Sequence, residues 1–423
     1  MSRTTTTSSR PPSDRAGDHY IVISADGHAG GEIHEYRDYL EQRYVDEFDR
    51  WVADYVCPFP DLEGPNASRN WDSGRRLAEM ESDGIVGEVL FPNTVPPFYP
   101  KSSLTAQAPT DEPHELELRG AGLRAHNRWL ADFCAAAPGR RAGIAQILLV
   151  DVDAAVDEIR WAHDAGLTGG VLLPGTPPGT GLAPMYSPTY EPIWQACEEL
   201  GMPVNHHSGS AVPPMDETAV DKVVFLLEVT WWAHRAFSHL VFGGVLERHP
   251  GLQLVLTEQG TAWIPEELGR LDYFFERMRS ATGSQEVEWG GAVVSELSLK
   301  PSEYWARQCH VGASFIRPAE VTLREMVGVD RIMWGSDYPH KEASFPYSNE
   351  ALRLSFAGVP RAEVQAMVGG NAADLYGFDL DALAPIAARV GPTIDEVARP
   401  LPHDEIPMEA RRCPAFAEVG STH

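Results

Sequence analysis

Short apolar segments rich in β-branched residues recur along the chain, and most of them are followed by a stretch with helical periodicity. Because their apolar character is nearly continuous rather than alternating, they are typical of parallel strands that are buried on both faces. The alternation of such strands with helices predicts a parallel sheet. The predicted strands cover residues 20–26, 85–93, 142–151, 168–174, 202–207, 252–258, 309–315 and 331–337.

The segments between these strands have the spacing of helices. Residues 152–165, 190–200 and 318–327 repeat apolar residues at the helical period, and each segment is followed by a glycine, which favours the end of a helix. Eight strand–helix units of this kind predict an α/β fold that closes into a (β/α)₈ TIM barrel. A doubly wound open sheet is the alternative, but no GxGxxG motif follows the first predicted strand.

The barrel pattern lies between two segments of different composition. The N-terminal residues are rich in Ser, Thr, Arg and Pro and lack an apolar stretch, which is typical of a disordered leader rather than a secretory signal. Residues 52–70 and 93–113 are rich in Pro, Asn and Asp and predict long loops over the barrel mouth. We therefore expect a leader over 1–18, the barrel over 19–378, and a C-terminal helix (380–390) with a Pro-rich tail over 379–423.

The balance of charge limits the class of partner. The chain carries 34 basic and 61 acidic residues, a net charge of −27, and such a surface repels nucleic acids and anionic membranes. No apolar run is long enough to cross a bilayer. The five cysteines are scattered and none forms a CxxC pair, which favours the reducing cytoplasm and argues against a cysteine-based zinc site.

Polar side chains are concentrated where the predicted strands end. In a (β/α)₈ barrel the C-terminal ends of the strands form the active-site face, so functional side chains are expected there. The first, fifth, sixth and eighth strands each end in a His or a carboxylate, and burial of such groups without partners would be costly. The candidates are Asp26, His28, His206, His207, Glu258, Asp337 and His340.

The spacing of these candidates indicates which of them face the same point. Asp26 and His28 are two residues apart, so on a strand both point to one face and can reach one ion. Of the adjacent residues His206 and His207 only one can point inward. We expect His207 to point inward, because it precedes Ser-Gly at the strand end, and His206 to lie behind it.

The eighth strand supplies the strongest single candidate, Asp337, at its tip. His340 lies in the following loop, from which it either turns back to the site or faces solvent. Cys309 and His310 begin the seventh strand, at the opposite end of the barrel, so we exclude both from the site. Nucleophilic catalysis fits poorly, because the chain has no GxSxG motif.

Four motifs resemble the amidohydrolase-related family, in the branch that includes the metal-dependent decarboxylases of aminocarboxymuconate semialdehyde and resorcylate. They are ISADGHAG at the first strand, PVNHHSG at the fifth, GVLERHPGLQLVLTEQGTAWIPEELGRLD around the sixth and MWGSDYPH at the eighth, all within residues 20–377. In that family the first-strand pair, the fifth-strand His and the eighth-strand Asp bind the metal. The resemblance therefore implies four metal ligands, which are Asp26, His28, His207 and Asp337.

The sixth strand departs from the family pattern. Family members usually place a His there, as a base or a proton shuttle, whereas this chain has Glu258. A carboxylate at this position can bridge two metal ions, and three carboxylates with two or three His suit a pair of Fe or Mn ions better than one tetrahedral Zn. This composition resembles a nonheme diiron monooxygenase branch of the same superfamily, which acts largely on coenzyme A-linked substrates.

The resemblance thus implies an enzyme with two Fe ions that uses O₂ and an electron donor to hydroxylate a CoA-linked, diterpenoid-like substrate in antibiotic biosynthesis. Side chains expected at the substrate are the apolar Trp71, Phe91, Phe98 and Tyr99 and, for the CoA phosphates, Lys101, Arg119 and Arg124. The alternative is a mononuclear hydrolase or nonoxidative decarboxylase with one Zn or Mn, in which Glu258 is the general base. A barrel with a purely structural metal is the third hypothesis. We expect a cytoplasmic homo-oligomer.

Overall fold

The structure, a computed structural model, describes residues 16–56, 63–93, 96–99, 112–213, 215 and 218–417. Within these residues the chain forms nine strands, and every pairing between neighbouring strands is parallel. The strands are β1 (Val22–Ala29), β2 (Ile85–Pro92), β3 (Arg141–Gly143), β4 (Ala145–Gln146), β5 (Val171–Leu172), β6 (Val204–His207), β7 (Leu254–Thr257), β8 (Cys309–Ser314) and β9 (Ile332–Gly335).

The predicted third strand is divided into β3 and β4, and this break separates two sheets. One sheet has the order β1-β2-β3, and the other runs from β4 to β9 in chain order. Between them, Ile144 donates its N–H to the carbonyl of Leu90 at 3.0 Å, and Ala145 donates to the carbonyl of Gly170 at 2.9 Å. The main chain at this break is therefore bonded to both sheets.

The first and last strands meet at a second seam. The N–H of His28 donates to the carbonyl of Tyr338 at 2.7 Å, and the N–H of Asp337 donates to the carbonyl of Asp26 at 2.8 Å. The eight predicted strand positions thus follow one another in chain order around the barrel, and the last of them lies beside the first. The prediction of a TIM-barrel-type α/β fold is confirmed.

Helices alternate with the strands, as the hydrophobic pattern predicts. Those predicted over 152–165 and 190–200 are confirmed as α4 and α5. The helix predicted over 318–327 is broken into two short helices, α11 (Pro318–Val321) and α12 (Arg324–Val327). The helices are α1 (Val45–Val52), α2 (Ser73–Ser82), α3 (Pro113–Ala135), α4 (Val152–Asp164), α5 (Glu191–Leu200), α6 (Ala219–Phe242), α7 (Val245–Arg248), α8 (Ile264–Arg279), α9 (Gln285–Ser295), α10 (Pro301–Gln308), α11 (Pro318–Val321), α12 (Arg324–Val327), α13 (Ser348–Phe356), α14 (Arg361–Gln365), α15 (Asn371–Tyr376), α16 (Leu380–Val390) and α17 (Ile394–Val397).

The predicted leader and the two insertions are described only in part. Of the leader, Ala16–Asp18 forms a 3₁₀ turn, and the rest lies outside the described residues. The first insertion contains a 3₁₀ helix over Gly64–Asn70. The parts of the two insertions that lie outside the described residues are 57–62, 94–95 and 100–111.

The predicted C-terminal helix is confirmed as α16, and it belongs to the core of the barrel. Its side chains Leu383 and Ala387 pack in one buried cluster with Ile23 of β1 and Val86 of β2. None of the helices in the described segments combines the length and the apolar character that a bilayer crossing requires.

Candidate metal centre

Six of the predicted site residues come together at the C-terminal ends of the strands. The ligand atoms of Asp26, His28, His207 and Glu258 lie within 4.8 Å of one another, and the same holds for those of His28, Asp337 and His340. These residues come from β1, from the end of β6, and from the loops after β7 and β9. Strands that are far apart in the sequence therefore deliver one cluster of three carboxylates and three imidazoles.

His28 joins the two groups into one cluster. Its Nε2 atom lies 3.4 Å from Oδ1 of Asp26 and 3.2 Å from Oδ1 of Asp337. Nδ1 of His340 lies 2.8 Å from the same oxygen of Asp337. Because Nε2 of His28 lies near carboxylate oxygens of both groups, the six side chains form one continuous cluster.

Glu258 completes the opposite side of the centre. Its Oε2 atom lies 3.3 Å from Nε2 of His207 and accepts a hydrogen bond from the hydroxyl of Ser208 at 2.8 Å. Nε2 of His207 also lies 3.4 Å from Oδ1 of Asp26. The side chain of Glu258 remains 23% exposed, so this carboxylate faces the open side of the cluster.

Two of the carboxylates are held on strained backbone. Glu258 has a φ of 57° and Asp337 a φ of 60°, in the left-handed region that non-glycine residues rarely adopt. Main-chain hydrogen bonds hold both, from Glu258 N–H to the carbonyl of Gly312 and from Asp337 N–H to the carbonyl of Asp26. Such strain persists only where the surrounding structure enforces it, and it is commonest at functional sites.

The charges of the cluster shift one another strongly. Burial alone would raise the pKa of Asp26, but close contacts with the imidazoles of His207 and His28 outweigh it and hold that pKa well below its usual range. Burial would lower the pKa of both histidines. The carboxylates of Asp26 and Asp337 instead raise the pKa of His28 to about 9. Asp26 and Glu258 likewise raise the pKa of His207 to about 9. The carboxylates thus attract positive charge to this point, and a divalent cation competes there by displacing protons.

The donor set fits a metal ion. Nε2 of His28 and Oδ2 of Asp337 are buried and have no hydrogen-bond partner among the described residues. Buried polar atoms are rarely left without partners unless an ion or water satisfies them. Imidazole nitrogen and carboxylate oxygen suit Mn or Zn, and no thiol lies in the cluster. Ligation by Asp26, His28, His207 and Asp337 remains a prediction that this geometry makes specific.

His206 faces away from the cluster. Its Nδ1 atom lies 3.0 Å from the carbonyl oxygen of Leu173 in the barrel wall. Burial lowers the pKa of His206 to about 4, so the ring is neutral near pH 7. The alternation along β6 therefore places His207 at the centre, and the predicted position of His206 behind it agrees with this placement.

Sequence reasoning missed three polar side chains that contact the candidates. Ser208 donates to Glu258, as described above, and Ser314 of β8 donates to Oδ2 of Asp26. Oδ1 of Asn93 lies 3.1 Å from Nε2 of His340. Asn93 ends the second predicted strand and Ser314 is the last residue but one of the seventh, so a search for every polar residue near a strand end, and not only for His and carboxylates, would have found both.

Not all of the side chains expected at the substrate lie beside the cluster. Phe91 packs on His207 with ring centroids 4.6 Å apart, so it lies beside the cluster. Arg119 pairs with Glu115 and Arg124 with Glu41. Lys101 lies outside the described residues. The CoA contacts and the homo-oligomer stay predictions.

Proteins of known structure share this fold. The crystal structure of 5-carboxyvanillate decarboxylase from Sphingomonas paucimobilis aligns with a TM-score of 0.61 at 21% identity, covering 85% of this chain and 100% of that one. The 5-carboxyvanillate decarboxylase from Novosphingobium aromaticivorans, complexed with manganese and 4-hydroxy-3-methoxy-5-nitrobenzoic acid, aligns with a TM-score of 0.59 at 18% identity, covering 85% of this chain and 96% of that one. Among curated relatives, the γ-resorcylate decarboxylase of Rhizobium sp. (strain MTP-10005) is 27% identical over 273 residues, which are 62% of this chain and 76% of the relative.

These comparisons overturn the predicted oxygenase. The prediction of a nonheme diiron monooxygenase is wrong, because the relatives named above are decarboxylases. The predicted roles of O₂, an electron donor and antibiotic biosynthesis lose their support with it. The two-iron centre is also wrong. A structural neighbour is complexed with manganese, and the two ligand groups of this chain share Nε2 of His28. Counting donors along the sequence suggested two ions, because it could not show that all the donors lie in one continuous cluster.

The family follows from a match along most of the barrel. A family model described as Amidohydrolase matches residues 69–378. The matched segment includes the strand ends with His207, Glu258 and Asp337, while Asp26 and His28 precede it. Because the model covers more than half of the chain, this protein belongs to the amidohydrolase family.

Proposed function

We propose that this protein is a metal-dependent decarboxylase that releases CO₂ from an aromatic carboxylic acid. The observation that carries the proposal is the single cluster of three carboxylates and three imidazoles at the barrel mouth. The curated relative that acts on γ-resorcylate and the structural neighbours that act on 5-carboxyvanillate support the choice of reaction. The alternative of a hydrolase uses the same cluster and differs in the bond that is broken.

Asp26, His28, His207 and Asp337 would hold one Mn or Zn ion. When bound, such an ion polarises the oxygens of the substrate and stabilises negative charge that develops on them. Nε2 of His28 and Oδ2 of Asp337 make no hydrogen bond among the described residues, and they are the buried atoms that the ion would satisfy.

The reaction requires one proton for each CO₂ that leaves. The bond between the ring carbon and the carboxylate breaks, its electron pair stays on the ring, and the ring carbon takes up a proton. Glu258 is placed to hold that proton, because burial and the charge of Asp337 raise its pKa to about 7. Its contacts with Ser208 and His207 fall on Oε2, so Oε1 would carry the proton.

Phe91 would keep water away from this proton transfer. Its ring is buried and lies 4.6 Å from the ring of His207 and 5.9 Å from that of His28, measured between centroids. An apolar face beside the ligands strengthens the electrostatic interactions of the site. It also offers a surface on which an aromatic substrate can pack.

The test is CO₂ release by the full chain loaded with Mn²⁺, using 2,6-dihydroxybenzoate (γ-resorcylate) and 5-carboxyvanillate as first substrates. In D₂O the product should carry deuterium at the ring carbon that lost the carboxylate. Release of acid from esters or amides, with no CO₂ from any aromatic acid, would contradict the proposal and favour the hydrolase.

Glu258→Gln separates the proton donor from the metal site. We expect CO₂ release to fall by about 100-fold or more, because the amide cannot donate the proton, while bound Mn²⁺ per chain stays the same. Glu325→Gln, at a glutamate that is 78% exposed, is the matched control and should leave both unchanged. Loss of Mn²⁺ in Glu258→Gln would instead make Glu258 a metal ligand.

A further inference from the structure

The end of the seventh strand reaches the metal centre through a residue that the family resemblance does not assign. Ser314 is the last residue of β8, and it is 6% exposed. Its hydroxyl donates a hydrogen bond to Oδ2 of Asp26, which is fully buried. We propose that Ser314 is a positioning residue that orients the Asp26 carboxylate for metal binding.

The two oxygens of Asp26 have different surroundings. Oδ1 lies 3.4 Å from Nε2 of His28 and 3.4 Å from Nε2 of His207, so it faces the centre. Oδ2 faces Ser314. The torsion that exchanges these oxygens is broad and has no strong preference of its own. The hydroxyl on one oxygen therefore fixes the orientation of the carboxylate plane, so that the other oxygen faces the centre.

The main chain of Asp26 is already fixed by other groups. The hydroxyl of Ser24 donates to its carbonyl at 2.6 Å, and the N–H of Asp337 donates to the same carbonyl at 2.8 Å. The remaining freedom of Asp26 lies in its side chain. Ser314 acts on that freedom alone, which separates its role from that of the backbone contacts.

A glycine makes the contact between these strands possible. Ser314 pairs with Gly335 in the β8–β9 ladder, and Asp26 lies in β1 on the other side of β9. A Cβ atom at Gly335 would lie 2.6 Å from Cβ of Asp26 and 3.2 Å from Oγ of Ser314. The serine thus reaches its carboxylate across a position where no side chain fits.

This inference rests on the proposed metal site, and equilibrium binding of Mn²⁺ to the full chain tests it. We expect Ser314→Ala to raise the dissociation constant for Mn²⁺ by about 10- to 100-fold, the usual loss when the partner of a metal ligand is removed. Ser314→Thr keeps the hydroxyl and should stay within about threefold of the wild type. Wild-type affinity in Ser314→Ala would overturn the inference.

Ser355→Ala is the matched control for loss of a buried hydroxyl. Ser355 is 5% exposed, and its hydroxyl donates to the carbonyl of Ile316 rather than to a predicted ligand. Its removal should leave Mn²⁺ binding unchanged, and an equal loss in both variants would show a general packing effect and overturn the inference. If Ser314→Ala does not fold, Ser314→Cys replaces it as a variant of similar shape with a weak donor, with the same expected direction.

A double substitution separates failure of this inference from failure of the site. In an Asp26→Ala background, Ser314→Ala should change Mn²⁺ affinity by less than about twofold, because the hydroxyl acts through the carboxylate that this background removes. A full loss in that background would show that Ser314 acts elsewhere and would overturn the positioning role alone. Unchanged Mn²⁺ binding in Asp26→Ala by itself would overturn the ligand assignment and this inference together.

Discussion

Two clusters of charged side chains in the described part of the barrel differ in whether all their buried polar atoms make hydrogen bonds. The arginine cluster consists of Arg76, Glu88 and Arg141, and both arginines donate to the carboxylate of Glu88, at 2.9 Å and 3.2 Å. In the metal centre, by contrast, Nε2 of His28 and Oδ2 of Asp337 have no hydrogen-bond partner among the described residues. In the arginine cluster, protein groups satisfy the buried charges. In the metal centre, the donor atoms left without hydrogen bonds are of the kind that bind a cation.

The complete cluster supports the incomplete one. Arg76 donates from Nη1 to the carbonyl of His28 at 2.7 Å and from Nη2 to that of Tyr338 at 3.4 Å. These carbonyls belong to β1 and to the loop after β9, which carry predicted ligands. Buried charge therefore has two roles here, since the arginine cluster holds the strand ends and the metal centre uses the side chains that they present.

Asp337→Ala should produce the largest effect. The variant removes an anionic ligand from the centre, so bound Mn²⁺ should fall from about one ion per chain to nearly none, and CO₂ release should fall by about 1000-fold or more. Elemental analysis after dialysis measures the metal. Asp330→Ala, at an aspartate that is 70% exposed, is the control. Full retention of Mn²⁺ in Asp337→Ala would refute the site assignment.

Glu88→Gln should break the complete cluster. The variant leaves two buried arginines without a carboxylate, and we expect a loss of about 3–5 kcal/mol in the free energy of unfolding, measured by urea denaturation. The same substitution at Glu258 removes a carboxylate that has no arginine partner in the described structure and should change stability by less than about 1 kcal/mol. Equal destabilisation by the two variants would remove the distinction between the clusters.

Asp83 is a buried carboxyl that belongs to neither cluster, so it shows how burial acts on a carboxyl without a charged partner. It is 3% exposed, Oδ1 accepts a hydrogen bond from the N–H of Ser348 at 3.1 Å, and burial raises its pKa to about 7. In the unfolded chain this group titrates near pH 4. The folded protein therefore binds the proton more tightly, and its stability should fall as pH rises from about 4 to 7.

Asp83→Asn should remove this part of the pH dependence. At pH 8 the variant should be more stable than the wild type by on the order of 4 kcal/mol, while at pH 4 the two should be nearly equal. Urea denaturation at both pH values measures the difference. A stability difference between the variant and the wild type that is the same at pH 4 and pH 8 would show that Asp83 is not held neutral by the fold.

Much of the fold could be predicted from the sequence because the relevant signals are local. Apolar strands that alternate with helical segments predicted the barrel, and helices such as α4 and α5 lie where their periodicity and terminal glycines place them. The third strand is less regular than predicted, since its main chain is divided at Ile144 between two sheets. A hydrophobic pattern carries no information about such a break.

The candidate site could likewise be predicted only in part. The two-residue spacing of Asp26 and His28 and their place at a strand end follow from the sequence, because side chains alternate along any strand. The number of ions and the reaction did not follow. Glu258 reads as an additional bridging ligand in the sequence, whereas in the structure the ligand groups meet at a single nitrogen of His28.

By itself the sequence determined which donor atoms each strand brings to the barrel mouth, because strand geometry is a property of neighbouring residues. Only the tertiary structure decided which of these atoms share one point. Ser314 and Asp26 are 288 residues apart, and they meet because β8, β9 and β1 pack side by side with Gly335 between them. Contacts of this kind depend on the packing of the whole barrel, and no local pattern encodes them.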